Sequence, residues 1–204
     1  NMKRLNLNIT VTLLIFLSII SRLIAMYFFP DTRLDNEWGK LVHNLEISGI
    51  LGINVVIDDY TALHKFAESS DVVLPSIFMP PLYVYFIYFV KLLSANLFDL
   101  IKIIFFLQIF LSLISVYLFF KIIRKYENLN ISFLLSFIFS FFPMYVYSSS
   151  QISSVTLQIC LLLLFFYFLL ELVSKKNFLN LVYFSIFSGL LILIRGEFIL
   201  FYFI

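Results

Sequence analysis

The side chains best placed to do chemistry in this sequence are the carboxylates of Asp31, Asp35 and Glu37, which directly follow the first long apolar run at residues 9–29. A run of 21 residues reaches about 31 Å as a helix, enough to cross the hydrocarbon core of a bilayer. A carboxylate just beyond it is therefore held near the membrane surface. There it could take the proton of an acceptor hydroxyl presented to a lipid-linked donor, which is general-base chemistry. The competing account is a solvated acidic loop end. Arg22 lies inside the run, where a charge is costly and needs a reason. It could face a water-filled cavity or bind an anionic lipid phosphate, and snorkelling of its long stem toward the interface is an equal alternative. Ser18 and Ser21 read as helix-packing residues.

Other reactive residue types carry less. His43 and His64 are too far apart to form a helical metal pair, no HExxH pattern occurs, and both read as surface histidines. Adjacent carboxylates at Asp58-Asp59-Tyr60 point in different directions, so a solvated loop accounts for them better than a divalent ion. With no metal assigned and no cofactor expected, an activated group must arrive by another route. Neither a P-loop nor GxGxxG is present, which argues against a nucleotide donor and leaves a lipid-linked one. Cys160 is the single cysteine, so disulfides and cysteine-based zinc sites are excluded.

These residues must be positioned by membrane elements. Of 204 residues, 62% are hydrophobic and 13% charged, with a mean hydropathy of +1.04. That composition excludes a soluble domain and a disordered chain, and a net charge of +2 excludes a nucleic-acid binder. Residues 31–71 hold eight acidic and three basic side chains, a net of −5 against +7 for the rest, together with both histidines and the only tryptophan, Trp38. One polar loop thus interrupts an apolar chain.

The fold class read from these runs is all-α, a polytopic transmembrane helical domain without a sheet. About five spans are expected, near residues 9–29, 103–120, 131–147, 155–172 and 179–194. An external loop covers 30–80 and an interfacial or re-entrant helix 81–94, which is too short to cross. This parity leaves Lys3 with Arg4, the Lys121, Arg124 and Lys125 cluster, and Lys175 with Lys176 on the cytoplasmic side. Within the loop, residues 39–48 suggest a short amphipathic helix on the membrane surface, closed by Gly49. The last run, 198–204, is too short to span and points to an N-terminal part of a longer protein.

The order of these features resembles a family. An acidic first loop with Asp35, Glu37 and Trp38 leads into Leu41 to Gly49, then Pro80-Pro81-Leu82-Tyr83 opens an apolar helix. Pro143, Tyr145, Tyr147 and Ser148 follow at a span end, and Gly189-Leu190-Leu191 runs into Arg195-Gly196-Glu197. The sequence is similar to the N-terminal part of the GT-C membrane glycosyltransferases, in the branch of protein O-mannosyltransferases and the lipid A aminoarabinose transferase. That resemblance implies a polyprenyl-phosphate sugar donor, an acceptor hydroxyl on a protein, lipid or glycan, and inversion at the anomeric carbon. It also implies the bacterial inner membrane as location, with the active loops facing the periplasm or exterior. Asp35 matches the family's base best, with Glu37 as alternative. Arg195 matches a basic position near the donor phosphate, where Arg22 and Tyr83 are further candidates for phosphate or lipid. Trp38 and Glu197 are candidate substrate contacts. Gly196 stands where the family has proline, Phe78 and Met79 where a charged residue often precedes the double proline, and residues 148–154 offer no acidic group. Activity of the isolated fragment is an open point. The alternative function is a transporter or flippase for a lipid-linked or anionic solute, motivated by Arg22.

Overall fold

The computed structural model describes residues 2–31, 34, 37–56, 65–66, 73–75 and 79–202, and their side chains except at 2–6, 54–56, 65–66 and 201–202. The chain forms two compact units, one of Asn1–Asp31 with Ile101–Ile204, the other of Thr32–Leu100.

In the first unit, α1 (Met2–Phe28) covers the first apolar run and stops before Pro30, as the residue ahead of a proline is turned away from helix. α4 (Leu97–Arg124), α5 (Leu129–Ser140), α6 (Pro143–Ser148), α7 (Val155–Lys175) and α8 (Phe178–Ile194) follow, then a 3-10 helix at Gly196–Tyr202. Asn128 caps α5 by accepting from the Ile131 amide at 3.0 Å. Left-handed Lys176 (φ 36°) ends α7. The core joins α1, α4 and α5 through Leu14, Val116 and Phe120, with Phe119 stacked on Phe139 at 4.4 Å. α7 and α8 form a hairpin in which Phe168 stacks on Phe187 at 5.3 Å.

α1 turns Ile9, Leu13, Phe16, Ile20 and Leu23 outward and buries Ser18, Ser21 and Arg22. Polar inside and apolar outside is what lipid selects and water does not. Among the described residues, three helices are long and apolar enough to cross a membrane: Leu7–Phe28, Leu97–Arg124 and Val155–Lys175. The expected single span at 131–147 is corrected. Residues 141–142 break it, because Pro143 brings no amide hydrogen and Phe142 before it is extended (φ −61°, ψ 121°). α8 covers the expected run 179–194 with 17 residues, and with α5 and the helix Pro81–Leu93 it falls among the shorter apolar helices.

The second unit contains α2 (Glu37–Ser48), β1 (Gly52–Val56), β2 (Lys65–Phe66), β3 (Val73–Pro75) and α3 (Pro81–Leu93). Here the expectation of no sheet is corrected: an antiparallel three-stranded sheet in the order β2-β1-β3 pairs Ile53 with Leu74 and Val55 with Phe66. The rule against open edges binds only in lipid, and this sheet is built from the polar stretch, where the β-branched Ile53, Val55 and Val56 favour a strand. The short amphipathic helix is present and begins two residues earlier than expected. Gly49 (φ 70°) closes it, its amide bonding to the Leu45 carbonyl at 3.1 Å. α3 starts on Pro81, whose fixed φ suits the first helical position.

Candidate functional site

Arg22 is the most completely held polar side chain in the helical unit. It is 1% exposed. Nε donates to Ser112 Oγ of α4 at 3.1 Å. Nη1 donates to Ser21 Oγ at 2.8 Å, to the Ser140 carbonyl of α5 at 2.7 Å and to Ser140 Oγ at 3.1 Å. Ser140 Oγ in turn lies 2.6 Å from Ser18 Oγ. All these acceptors are neutral, and among the described residues Arg22 has no carboxylate partner. Its position is thus set by hydroxyls and a carbonyl, the polar glue available where water is absent.

A cavity of about 10 Å³ adjoins Arg22 and is lined also by Ser115, Tyr145, Ser148 and Thr156. That is room for one water-sized species. Arg22 does not snorkel, since its guanidinium ends in the interior. Gln108, Ser112, Ser115 and Ser140 were not singled out by sequence reasoning. The available signal was spacing: 108, 112 and 115 on α4, and 132, 136 and 140 on α5, each recur on one buried helical face.

The turn after α6 is an ordered part of this unit. Ser148, Ser149 and Ser150 are buried and their hydroxyls donate to the carbonyls three residues back, at 3.2, 2.7 and 2.8 Å. Asp31 donates its amide to the Ser150 carbonyl at 3.1 Å and accepts from the Ile152 amide at 3.4 Å. Gln151 Nε2 donates to the Phe29 carbonyl at 2.7 Å. The first of the candidate carboxylates therefore fastens the end of the first helix to the 148–152 turn.

In the second unit, Glu37 opens α2 and is exposed to solvent. An acidic residue there is stabilised by the positive end of the helix dipole. Trp38 is half-buried, its ring edge-on to Tyr83 at 4.9 Å. Tyr83 is fully buried and stacks on Phe86 at 5.7 Å. Leu41 and Val42 pack inward, and Glu46 forms an ion pair with Lys91 that ties α2 to α3. Gly39 lets the preceding chain lie close, since a Cβ there would stand 1.8 Å from the Leu34 carbonyl oxygen. Asn44, on the side expected to be polar, is buried and donates to the Gly52 carbonyl at 2.9 Å.

The sequence-derived candidates thus have different fates. Trp38 and Tyr83 are brought together, as are Arg195 and Glu197, whose charged atoms are 3.9 Å apart on an exposed turn. Such an exposed pair contributes little stability and leaves both groups open to a ligand. Arg22 and Tyr83, considered for phosphate or lipid, are both buried and engaged by protein groups. Asp35, His64, Asp58, Asp59 and Tyr60 lie outside the described residues. His43 is exposed on α2. Among the described residues no cluster of His, Cys, Asp and Glu could hold a metal ion. No family model matches the chain, and neither does any curated protein or solved structure.

Proposed function

We propose that this protein is an integral membrane glycosyltransferase of GT-C type, which moves a sugar from a polyprenyl-phosphate donor to an acceptor hydroxyl on the external face of a bacterial inner membrane. In this reading the chain crosses five times, through α1, α4, the broken α5–α6 pair, α7 and α8, and the unit Thr32–Leu100 carries the base. The observation that carries the reading is local. Between two long apolar helices, the described residues of Thr32–Leu100 form a compact unit of their own, and it holds an exposed carboxylate, Glu37, at a helix start, next to Trp38 on Tyr83.

Chemically, Asp35, or Glu37 in its place, takes the proton of the acceptor hydroxyl. The acceptor oxygen then attacks the anomeric carbon from the side opposite the phosphate. The bond from that carbon to the phosphate oxygen breaks, and its electron pair leaves on polyprenyl phosphate, so the configuration inverts. In the helical unit, the exposed Arg195 offers by itself a planar, permanently charged fork of the kind that binds phosphate. Trp38 is suited to line the sugar, with Tyr83 as the packed support behind it. Glu197 orients Arg195.

The alternative of a transporter or flippase draws on Arg22 within a span. It has less support, because the cavity beside Arg22 has room for one water-sized species, too small for a lipid-linked solute. The two readings separate in an assay of membranes containing the protein, supplied with radiolabelled polyprenyl-phosphate mannose. A transferase releases polyprenyl phosphate and yields a glycoside of inverted configuration by NMR. A flippase moves the intact donor across the bilayer and leaves its sugar–phosphate bond unbroken.

A further inference from the structure

A second feature of the helical unit, unrelated to the proposed chemistry, lies at the end where the first turns of α1 meet the last turns of α4 and α7. A cavity of about 650 Å³ opens there, within the range of small-molecule sites. Its walls differ in kind. On one side stand Lys121 and Arg124, three residues apart on one face of the last turn of α4, and Lys125, the residue just past its end. On the other, α1 presents the hydrocarbon of Leu7 and Val11 beside the polar side chains of Asn8 and Thr12.

Two of the cations are held over aromatic rings, and among the described residues only Lys125 is also paired with a carboxylate. Lys121 Nζ lies over the ring of Tyr117 at 5.2 Å and over that of Tyr167 at 5.4 Å, and Lys125 Nζ lies over Tyr167 at 5.1 Å. Ring faces attract and orient an ammonium yet leave N–H donors for another acceptor. Glu171 is the one carboxylate among the described lining residues. It already receives Lys125 at 2.5 Å and Lys175 at 2.9 Å. Lys121 has no ion pair among the described residues. Like charges gathered on one helical face repel each other, and an anion in the cavity would relieve that cost.

Position selects the kind of anion. α4 and α7 are long and apolar enough to cross a membrane; on the reading that both do, their C-terminal ends come to the depth of lipid headgroups. Basic pockets between helices at that depth suit anionic headgroups. Beside a cationic rim, the hydrocarbon of Leu7 and Val11 fits a molecule that carries its negative charge on a hydrocarbon tail, and Asn8 and Thr12 suit the polar glycerol between the two. We propose that this cavity binds an anionic phospholipid, its phosphate between Lys121 and Arg124 and its glycerol and first acyl carbons against Leu7 and Val11.

The test is thermal unfolding of the purified protein in neutral detergent, titrated with phosphatidylglycerol, phosphatidylcholine or inorganic phosphate. The expected result is a saturable rise in Tm with phosphatidylglycerol only, undisturbed by millimolar phosphate. Lys121→Gln with Arg124→Gln should weaken phosphatidylglycerol about thirtyfold through loss of two interfacial cations. Lys102→Gln, about 28 Å away along α4, should leave its affinity unchanged. Should the double variant fail to fold, Tyr167→Leu removes the shared ring face at constant charge and should still weaken the lipid. Equal response to both lipids, an unaltered affinity in the Lys121→Gln, Arg124→Gln double variant or in Tyr167→Leu, or displacement by inorganic phosphate would each overturn the assignment.

Discussion

Arg22 Nη1 donates to the carbonyl oxygen of Ser140 at 2.7 Å, across 118 residues of chain. That carbonyl is open because α5 ends at Ser140 and the next helix starts afresh at Pro143. A continuous helix would have filled it with the Met144 amide, so the break and the buried cation belong to one arrangement.

Arg22→Lys keeps the charge and loses the fork. A lysine ammonium cannot reach Ser112 on α4 and Ser140 on α5 in the geometry that Nε and Nη1 share. Hydrogen bonds to charged groups contribute roughly 1.5–3 kcal/mol each, so loss of one should destabilise the protein by about 2 kcal/mol. Chemical unfolding in detergent measures this, and an unchanged midpoint would contradict it.

Pro143→Ala should couple to Arg22. Alanine permits α5 to run on and gives the Ser140 carbonyl a backbone donor, after which the arginine matters less. In a double-mutant cycle the cost of Arg22→Ala should be about 1 kcal/mol smaller in the Pro143→Ala background. Additive costs would mean that break and cation are independent.

Two glycines test the second unit. Gly49→Ala forces a Cβ into left-handed backbone (φ 70°) with nothing nearby to clash, so the cost is conformational alone, about 1 kcal/mol. Gly52→Ala would set its Cβ 2.1 Å from the Leu74 carbonyl oxygen, where backbone cannot yield. Amide exchange should therefore show lost protection at Ile53 and Leu74 in Gly52→Ala, and retained protection there in Gly49→Ala. Protection retained in both would argue against the β1–β3 register.

Some of this was legible in the sequence. The run at 9–29 gave a helix, Gly49 closed one and Pro81 opened one, because each signal is local: apolar length, a positive φ, a fixed φ. Pro143 was an equally local signal. It was outweighed by unbroken apolar character at 131–147, although hydropathy does not register a missing amide hydrogen. The sheet was missed by extending a rule about lipid to a polar stretch whose Ile53, Val55 and Val56 favour a strand. Arg22's partners come from three helices, and only the spacing of the α4 and α5 serines hinted that such a face existed. For the candidate site, Trp38 beside Tyr83 joins residues that sequence could name but not pair. Phe86 is a local neighbour of Tyr83 on α3, whereas Trp38 meets it from α2, a tertiary contact.

The proposed chemistry rests on Asp35, and one comparison tests it most directly. Membranes carrying wild-type protein, Asp35→Asn or Glu37→Gln at matched abundance are given radiolabelled polyprenyl-phosphate mannose, and label transferred to acceptor is counted. The base assignment predicts transfer by wild type and by Glu37→Gln, and a loss of at least about a hundredfold in Asp35→Asn, the scale of general-base catalysis. Transfer by Asp35→Asn at the wild-type rate would remove Asp35 from the reaction, and no transfer by wild type would contradict the glycosyltransferase reading itself.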